Sequence, residues 1–185
     1  MKKTLIIVDA QNDFISGSLA CEGAVSKMHE LAYFIETKGN DYETIILTLD
    51  WHPKNHMSFI KNGGEWPEHC VQYSSGSAIY QPILDKLPKD KQILFLIKGT
   101  NANCEEYSIM QNAESSEVIK SILDINQGDI DICGIANEFC VKNTVADLVN
   151  MGYGNRIKLL SEFIVAVADN TVLFSYAKEN NLKVS

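Results

Sequence analysis

The sequence predicts an open, mostly parallel α/β sheet flanked by helices on both faces, a three-layer Rossmann-like arrangement. Three observations carry that prediction: strand-sized apolar runs recur along the chain, helix-like segments alternate with them, and chemically capable residues stand just after each run. The runs are "TLIIVD" (4 to 9), "TIILTLD" (44 to 50), "ILFLIK" (93 to 98) and "DIDICGIA" (129 to 136), with "IKLL" (157 to 160) as a weaker fifth. Unbroken hydrophobicity suits strands covered on both faces, as in a buried parallel sheet. Residues 24–38 place Val25, Met28, Leu31, Ala32 and Ile35 at helical spacing. Residues 138–151 do the same with Val141, Val145, Leu148 and Val149, closed by Gly152 as a left-handed C-cap. Strand and helix in alternation imply right-handed crossovers. The close at "NLKVS" leaves little sequence for a last strand, so the outer edge of the sheet stays open.

At 185 residues and 45% hydrophobic content, the chain has the size of one domain spanning residues 1–185. A net charge of -8 argues against nucleic acid or an anionic membrane as partner, since both select for clustered Lys and Arg. The apolar runs fall well short of the roughly 18 to 20 residues of a membrane span. The opening "MKK" lacks the long apolar stretch and cleavage site of an export signal. Five cysteines without a CxxC pair suit free thiols in a reducing cytoplasm. A small-molecule ligand is the expected partner, and a homo-oligomer is compatible with the sequence.

In open parallel sheets ligands bind beyond the carboxyl ends of the strands. The residues there are Asp9, Asp50, Lys98 and the stretch from Ala136 to Cys140. Cys140 falls in the first turn of the following helix, with Asn137 as N-cap, where free N–H groups and the helix dipole favour a thiolate. Those N–H groups can also form an oxyanion hole. The bland alternative is a space-filling cysteine. Asp9 can serve as general base or merely cap a turn. Lys98 can hold carboxylate and thiolate in register or simply be solvated.

The stretch "LDWHPKNHMSF" (49 to 59) carries two of the four histidines. Asp50 and His52 share a face of an extended segment, His56 follows a turn, and His69 lies in "EWPEHC". One carboxylate and three imidazoles suit Zn, Mn or Fe in the divalent state, with positions left for water or substrate. Solvent-facing loop histidines are the competing explanation. His29, in the amphipathic segment, reads as structural.

Together "DAQNDF", "LDWHPKNHMSF", "EWPEHCVQ", "IKGT" and "GIANEFCVKNTVADLV" resemble the nicotinamidase/pyrazinamidase branch of the isochorismatase-like cysteine hydrolases. The resemblance runs from residue 4 to about residue 150 and fits the tail more loosely. It implies a triad of Asp9, Lys98 and Cys140, and a metal site of Asp50, His52, His56 and His69, with zinc as the first choice. It also implies a cis peptide between Ile135 and Ala136 that aims the amides of Ala136 and Cys140 at the substrate oxygen. Phe14 and Trp66 would flank the substrate's pyridine ring, with Tyr107 lining the same pocket. The implied reaction is hydrolysis of nicotinamide to nicotinate and ammonia through a thioester in NAD salvage, with pyrazinamide as a further substrate. The alternative is another isochorismatase-like hydrolase, acting on a different small amide or an enol ether. One departure stands out: the family usually has Asp two residues before the nucleophile, and this chain has Glu138, a longer carboxylate expected to favour the helix N-terminus.

Overall fold

In a computed structural model describing residues 1–185, the apolar runs become parallel strands of one sheet. In chain order they are β1 (Lys3–Val8), β2 (Tyr42–Asp50), β3 (Gln92–Lys98), β4 (Ile130–Ile135), β5 (Ile157–Val165) and β6 (Lys183–Val184). Their spatial order is β3-β2-β1-β4-β5-β6, with every neighbouring pair parallel. The chain starts in the middle and winds outward both ways, so the order reverses between β1 and β4. The carboxyl ends of those two strands open the crevice in which such sheets bind ligands.

The intervening helices are α1 (Asn12–Ile15), α2 (Ala24–Lys38), α3 (Gln81–Leu84), α4 (Ala113–Ile125), α5 (Lys142–Asn150) and α6 (Val172–Glu179). α2 covers the predicted span, with Met28, Leu31, Ala32 and Ile35 buried and Val25 left outside. Gly152, at φ +91°, follows the end of α5 in the left-handed conformation that closes a helix. α4 and α6 were not singled out in the sequence. Asn112 caps α4, accepting a bond from the Ser115 N–H, which makes "NAES" a start signal visible in retrospect.

The core is one continuous cluster led by Leu5, Ile6, Ile7, Ile45, Ile46, Leu47, Ile130 and Ile132, all fully buried. Burying each such side chain stabilises the fold by roughly 1.5–3 kcal/mol. One expectation needs correction, and one point the sequence leaves undecided is resolved. β3 is an edge strand, and Phe95 (51% exposed) and Ile97 (40%) are not covered on both faces. A last strand does exist, because residues Lys183 and Val184 pair with Lys158 and Leu159 of β5. Gly134, at φ +119°, allows β4 to lie against β1 where the site begins. A Cβ there would stand 2.1 Å from the Val8 carbonyl oxygen.

Candidate active site

Three strand ends deliver the central cluster. Asp9 follows β1 with φ +46°, turning its carboxylate out of the ladder. Thr48 Oγ1 donates to Asp9 Oδ1 at 2.6 Å. Parallel pairing of β2 with β3 sets Asp50 beside Lys98. Lys98 Nζ forms an ion pair with Asp50 Oδ1, lies 2.9 Å from Asp9 Oδ2, and donates to Cys140 Sγ at 3.4 Å. All four side chains are buried.

Asp9 Oδ2 accepts no aligned hydrogen bond. Lys98 approaches it as an ion-pair partner without hydrogen-bond geometry. The ligand atoms of Asp9, Asp50 and Cys140 all lie within 4.8 Å of one another, so a buried carboxylate lone pair is left beside a thiol.

Electrostatics divides the two carboxylates. Burial pushes both upward. At Asp50 the Lys98 charge and the adjacent imidazoles reverse the effect and hold the carboxyl well below its usual range. At Asp9 burial, reinforced by the Asp50 charge, prevails over Lys98, and the carboxyl is raised. Burial also drives the Cys140 thiol well up, against the pull of Lys98. Burial disfavours the Lys98 ammonium, but Asp50 and Asp9 lift it well above its ordinary value. Asp50 is therefore the fixed anion of the group, while Asp9 can exchange a proton with the thiol.

The expected histidine cluster assembles beside this group. His52 pairs with the 70–72 segment, its N–H donating to Cys70 O and its carbonyl accepting from Gln72 N–H. That pairing brings His69 alongside. His52 Nε2 is 3.5 Å and His69 Nε2 4.0 Å from Asp50 Oδ2. Nδ1 of His52 lies 3.0 Å from Gly99 O, and Nδ1 of His69 2.8 Å from Pro67 O. In the tautomer that lets each Nδ1 donate to its carbonyl, both Nε2 atoms are free to face an ion beside Asp50, the usual outer-shell arrangement of metal-binding histidines. The donor set thus fits a divalent ion.

Gly99, at φ +68°, leaves room for the His52 ring; a Cβ there would approach it to 2.4 Å. His56 stacks on His52 with ring centroids 4.1 Å apart, but its Nε2 lies 3.1 Å from Cys104 O. It joins His52 and Glu105 in a second, overlapping trio. Burial lowers both His56 and His69, whereas the Asp50 charge outweighs burial at His52 and raises it. His29 is exposed and hydrogen-bonds Tyr80, outside the cluster.

A pocket opens over Cys140, and Phe14, Trp66 and Tyr107 line it together with Ala136. Trp66 Nε1 donates to Tyr107 Oη at 3.1 Å. The Ile135–Ala136 peptide is cis. Phe139, Glu105, Leu19 and Val167 also line the pocket and were missed in the sequence. Phe139 reads there as an ordinary helix residue, although its ring meets Trp66 edge-on at 5.1 Å. Glu105 reads as a solvated loop acid.

The segment around Cys140 departs from expectation. Ala136, not Asn137, is the N-cap, and Asn137–Val141 form a π-turn before α5. Asn137 and Glu138 are engaged elsewhere. Asn137 Oδ1 accepts from Leu173 N–H, and its Nδ2 donates to Asn170 O. Glu138 accepts the N–H groups of Val167, Ala168 and Asp169 at 3.2, 2.7 and 3.0 Å. These two side chains fasten the 167–173 segment, which carries Val167 into the pocket, and leave the first-turn amides of their own helix uncapped.

A doubly wound α/β sheet with a buried Asp, Lys and Cys group at its switch point defines the class of this protein. The chain belongs to the isochorismatase family: the isochorismatase domain matches residues 3–171. It is 33% identical to a nicotinamidase of Acinetobacter baylyi, covering 83% of this chain and 77% of the relative. It is 29% identical to a nicotinamidase of Saccharomyces cerevisiae, covering 96% and 94%. Among solved structures it resembles a pyrazinamidase of Pyrococcus horikoshii in complex with zinc, with TM-score 0.84 and 29% identity over 100% of this chain and 99% of that one. It is also similar to an L. infantum protein solved in complex with nicotinate, with TM-score 0.85 and 28% identity over 100% and 92%.

Proposed function

We propose that this protein is a nicotinamidase, an amidohydrolase that converts nicotinamide to nicotinate and ammonia, acting as a single domain in the cytoplasm. The observation that carries the mechanism is the buried Oδ2 of Asp9, ion-paired with Lys98 but accepting no aligned hydrogen bond, beside the Cys140 thiol at the base of an aromatic pocket. Asp9 takes the thiol proton as sulfur attacks the carboxamide carbon. The carbonyl oxygen becomes an oxyanion held by the amides of Ala136 and Cys140. Asp9 then passes its proton to nitrogen, the C–N bond breaks, and ammonia leaves a thioester. Water attacks that thioester, with Asp9 accepting its proton and returning it to the sulfur. Lys98 keeps the charges of this cycle balanced at a fixed point.

Phe14, Trp66 and Tyr107 supply flat walls for a pyridine ring, and offset stacking adds about 0.5–1.5 kcal/mol beyond burial. Asp50, His52 and His69, with His56 adjoining, would hold one divalent ion; zinc is the first choice, and manganese or iron suit the same donors. When bound, such an ion supplies a Lewis-acid position for the ring nitrogen, directly or through water. The nicotinamidase relatives and the zinc and nicotinate complexes of similar structures support this reading.

Ammonia release from nicotinamide, pyrazinamide and benzamide tests it. The first two should turn over and benzamide, without a ring nitrogen, should be poor. Equal turnover of all three would remove the role given to the metal, and no turnover would sink the reading.

A further inference from the structure

We propose that Gln11 is a positioning residue whose side-chain amide replaces a missing strand next to Asp50, holding that carboxylate between Lys98 and the imidazoles. The inference rests on the metal reading given above.

In the β1–β2 register Ile7 stands opposite Leu47, so continuation of the ladder would set residue 10 against Asp50. The chain instead leaves the sheet at Asp9, and the Gln11 backbone N–H turns back to Asp9 O at 2.8 Å. Trp51 N–H faces β3, bonding Lys98 O at 2.9 Å. Because successive residues alternate sides, the peptide groups of Asp50 face the place β1 has vacated.

The Gln11 amide fills that place. Its Oε1 accepts the Asp50 N–H at 2.8 Å and its Nε2 donates to Asp50 O at 2.8 Å, so one primary amide satisfies both groups that a parallel neighbour strand would bond through two different residues. The remaining Nε2 hydrogen goes to Ser77 O at 2.8 Å. Gln11 is wholly buried, and its amide has no free donor. Asp50 must point Oδ1 at Lys98 and Oδ2 at His52 and His69 at once. Only a fixed backbone allows one short side chain to serve both.

The test uses the full chain with Gln11→Glu, which sets a carboxylate oxygen against two carbonyls, and Gln11→Met, which keeps the volume without the amide. Ile6→Val, deeper in β1, is the stability control. Zinc affinity is read by competition with a chromogenic chelator, alongside kcat and the melting temperature. Both Gln11 variants should bind zinc at least tenfold more weakly than wild type, in the 10- to 100-fold range of outer-shell changes, with lower kcat. Ile6→Val should lower the melting temperature and leave zinc affinity unchanged. Gln11 variants with wild-type zinc affinity would overturn the proposal. Failure of both to fold would also overturn it, making Gln11 a residue of the core. A wild-type chain that binds no zinc would overturn the metal reading and this inference with it, whereas zinc binding without ammonia release counts against the nicotinamidase reading alone.

Discussion

Lys98 Nζ lies 3.4 Å from Cys140 Sγ, with the lysine fully buried at the end of an otherwise half-exposed edge strand. An ammonium so placed is tolerable only because Asp9 and Asp50 surround it. Lys98→Met would leave two buried carboxylates without a counter-charge, at a cost on the order of 3–5 kcal/mol of stability. Turnover should fall by about a hundredfold or more. Thermal melts and ammonia release on the same preparation check both.

The base role proposed for Asp9 requires its ionised form, and burial raises its carboxyl above the ordinary value. kcat/KM should therefore rise with pH through that elevated pKa and fall away on the acid side. The Thr48 hydroxyl favours the ionised form. Thr48→Val removes that bond, so the acid limb should move to higher pH; a limb that stays in place would detach the profile from Asp9.

Metal removal by a chelator should lower both activity and melting temperature, and zinc should restore them. Zinc free at a hundred times its dissociation constant stabilises by about 2.7 kcal/mol, which for a chain of this size is roughly 5–10 °C. His52→Ala should abolish the zinc-dependent shift in calorimetry.

Glu138 ties the 167–169 segment to the turn that carries Cys140. Glu138→Ala frees that segment and with it Val167, so KM for nicotinamide should rise about tenfold with a smaller change in kcat, a loss near 1.4 kcal/mol. Steady-state kinetics separates the two parameters, and Glu138→Gln, which still accepts, should lie between.

The central strands were legible because β1, β2 and β4 are buried on both faces and read as unbroken Ile, Leu and Val. β3 has the same appearance for another reason: an edge strand can carry exposed Phe95 and Ile97, and composition does not record which strand lies at the edge. The two residues of β6 are held by pairing with β5, a tertiary fact with no local signature. In the site, Asp9, Asp50, Lys98 and Cys140 could be listed from the strand ends, since parallel strands deliver their carboxyl ends to one place. The direction of each side chain was not legible. Asn137 reads as a helix cap by residue type, yet long-range partners at Asn170 and Leu173 win over the local amides. His56 sits in the histidine-rich stretch, yet its ring faces the Cys104 carbonyl, a contact set by a loop 48 residues away. Phe139 and Val167 enter the pocket through that same long-range packing.

The most direct test of the account is ammonia release from nicotinamide by the purified protein and by Cys140→Ala, with acid-quenched wild type examined by mass spectrometry. The account predicts turnover by wild type, none by the variant, and a nicotinoyl group trapped on the peptide containing Cys140. Turnover retained by Cys140→Ala would contradict it.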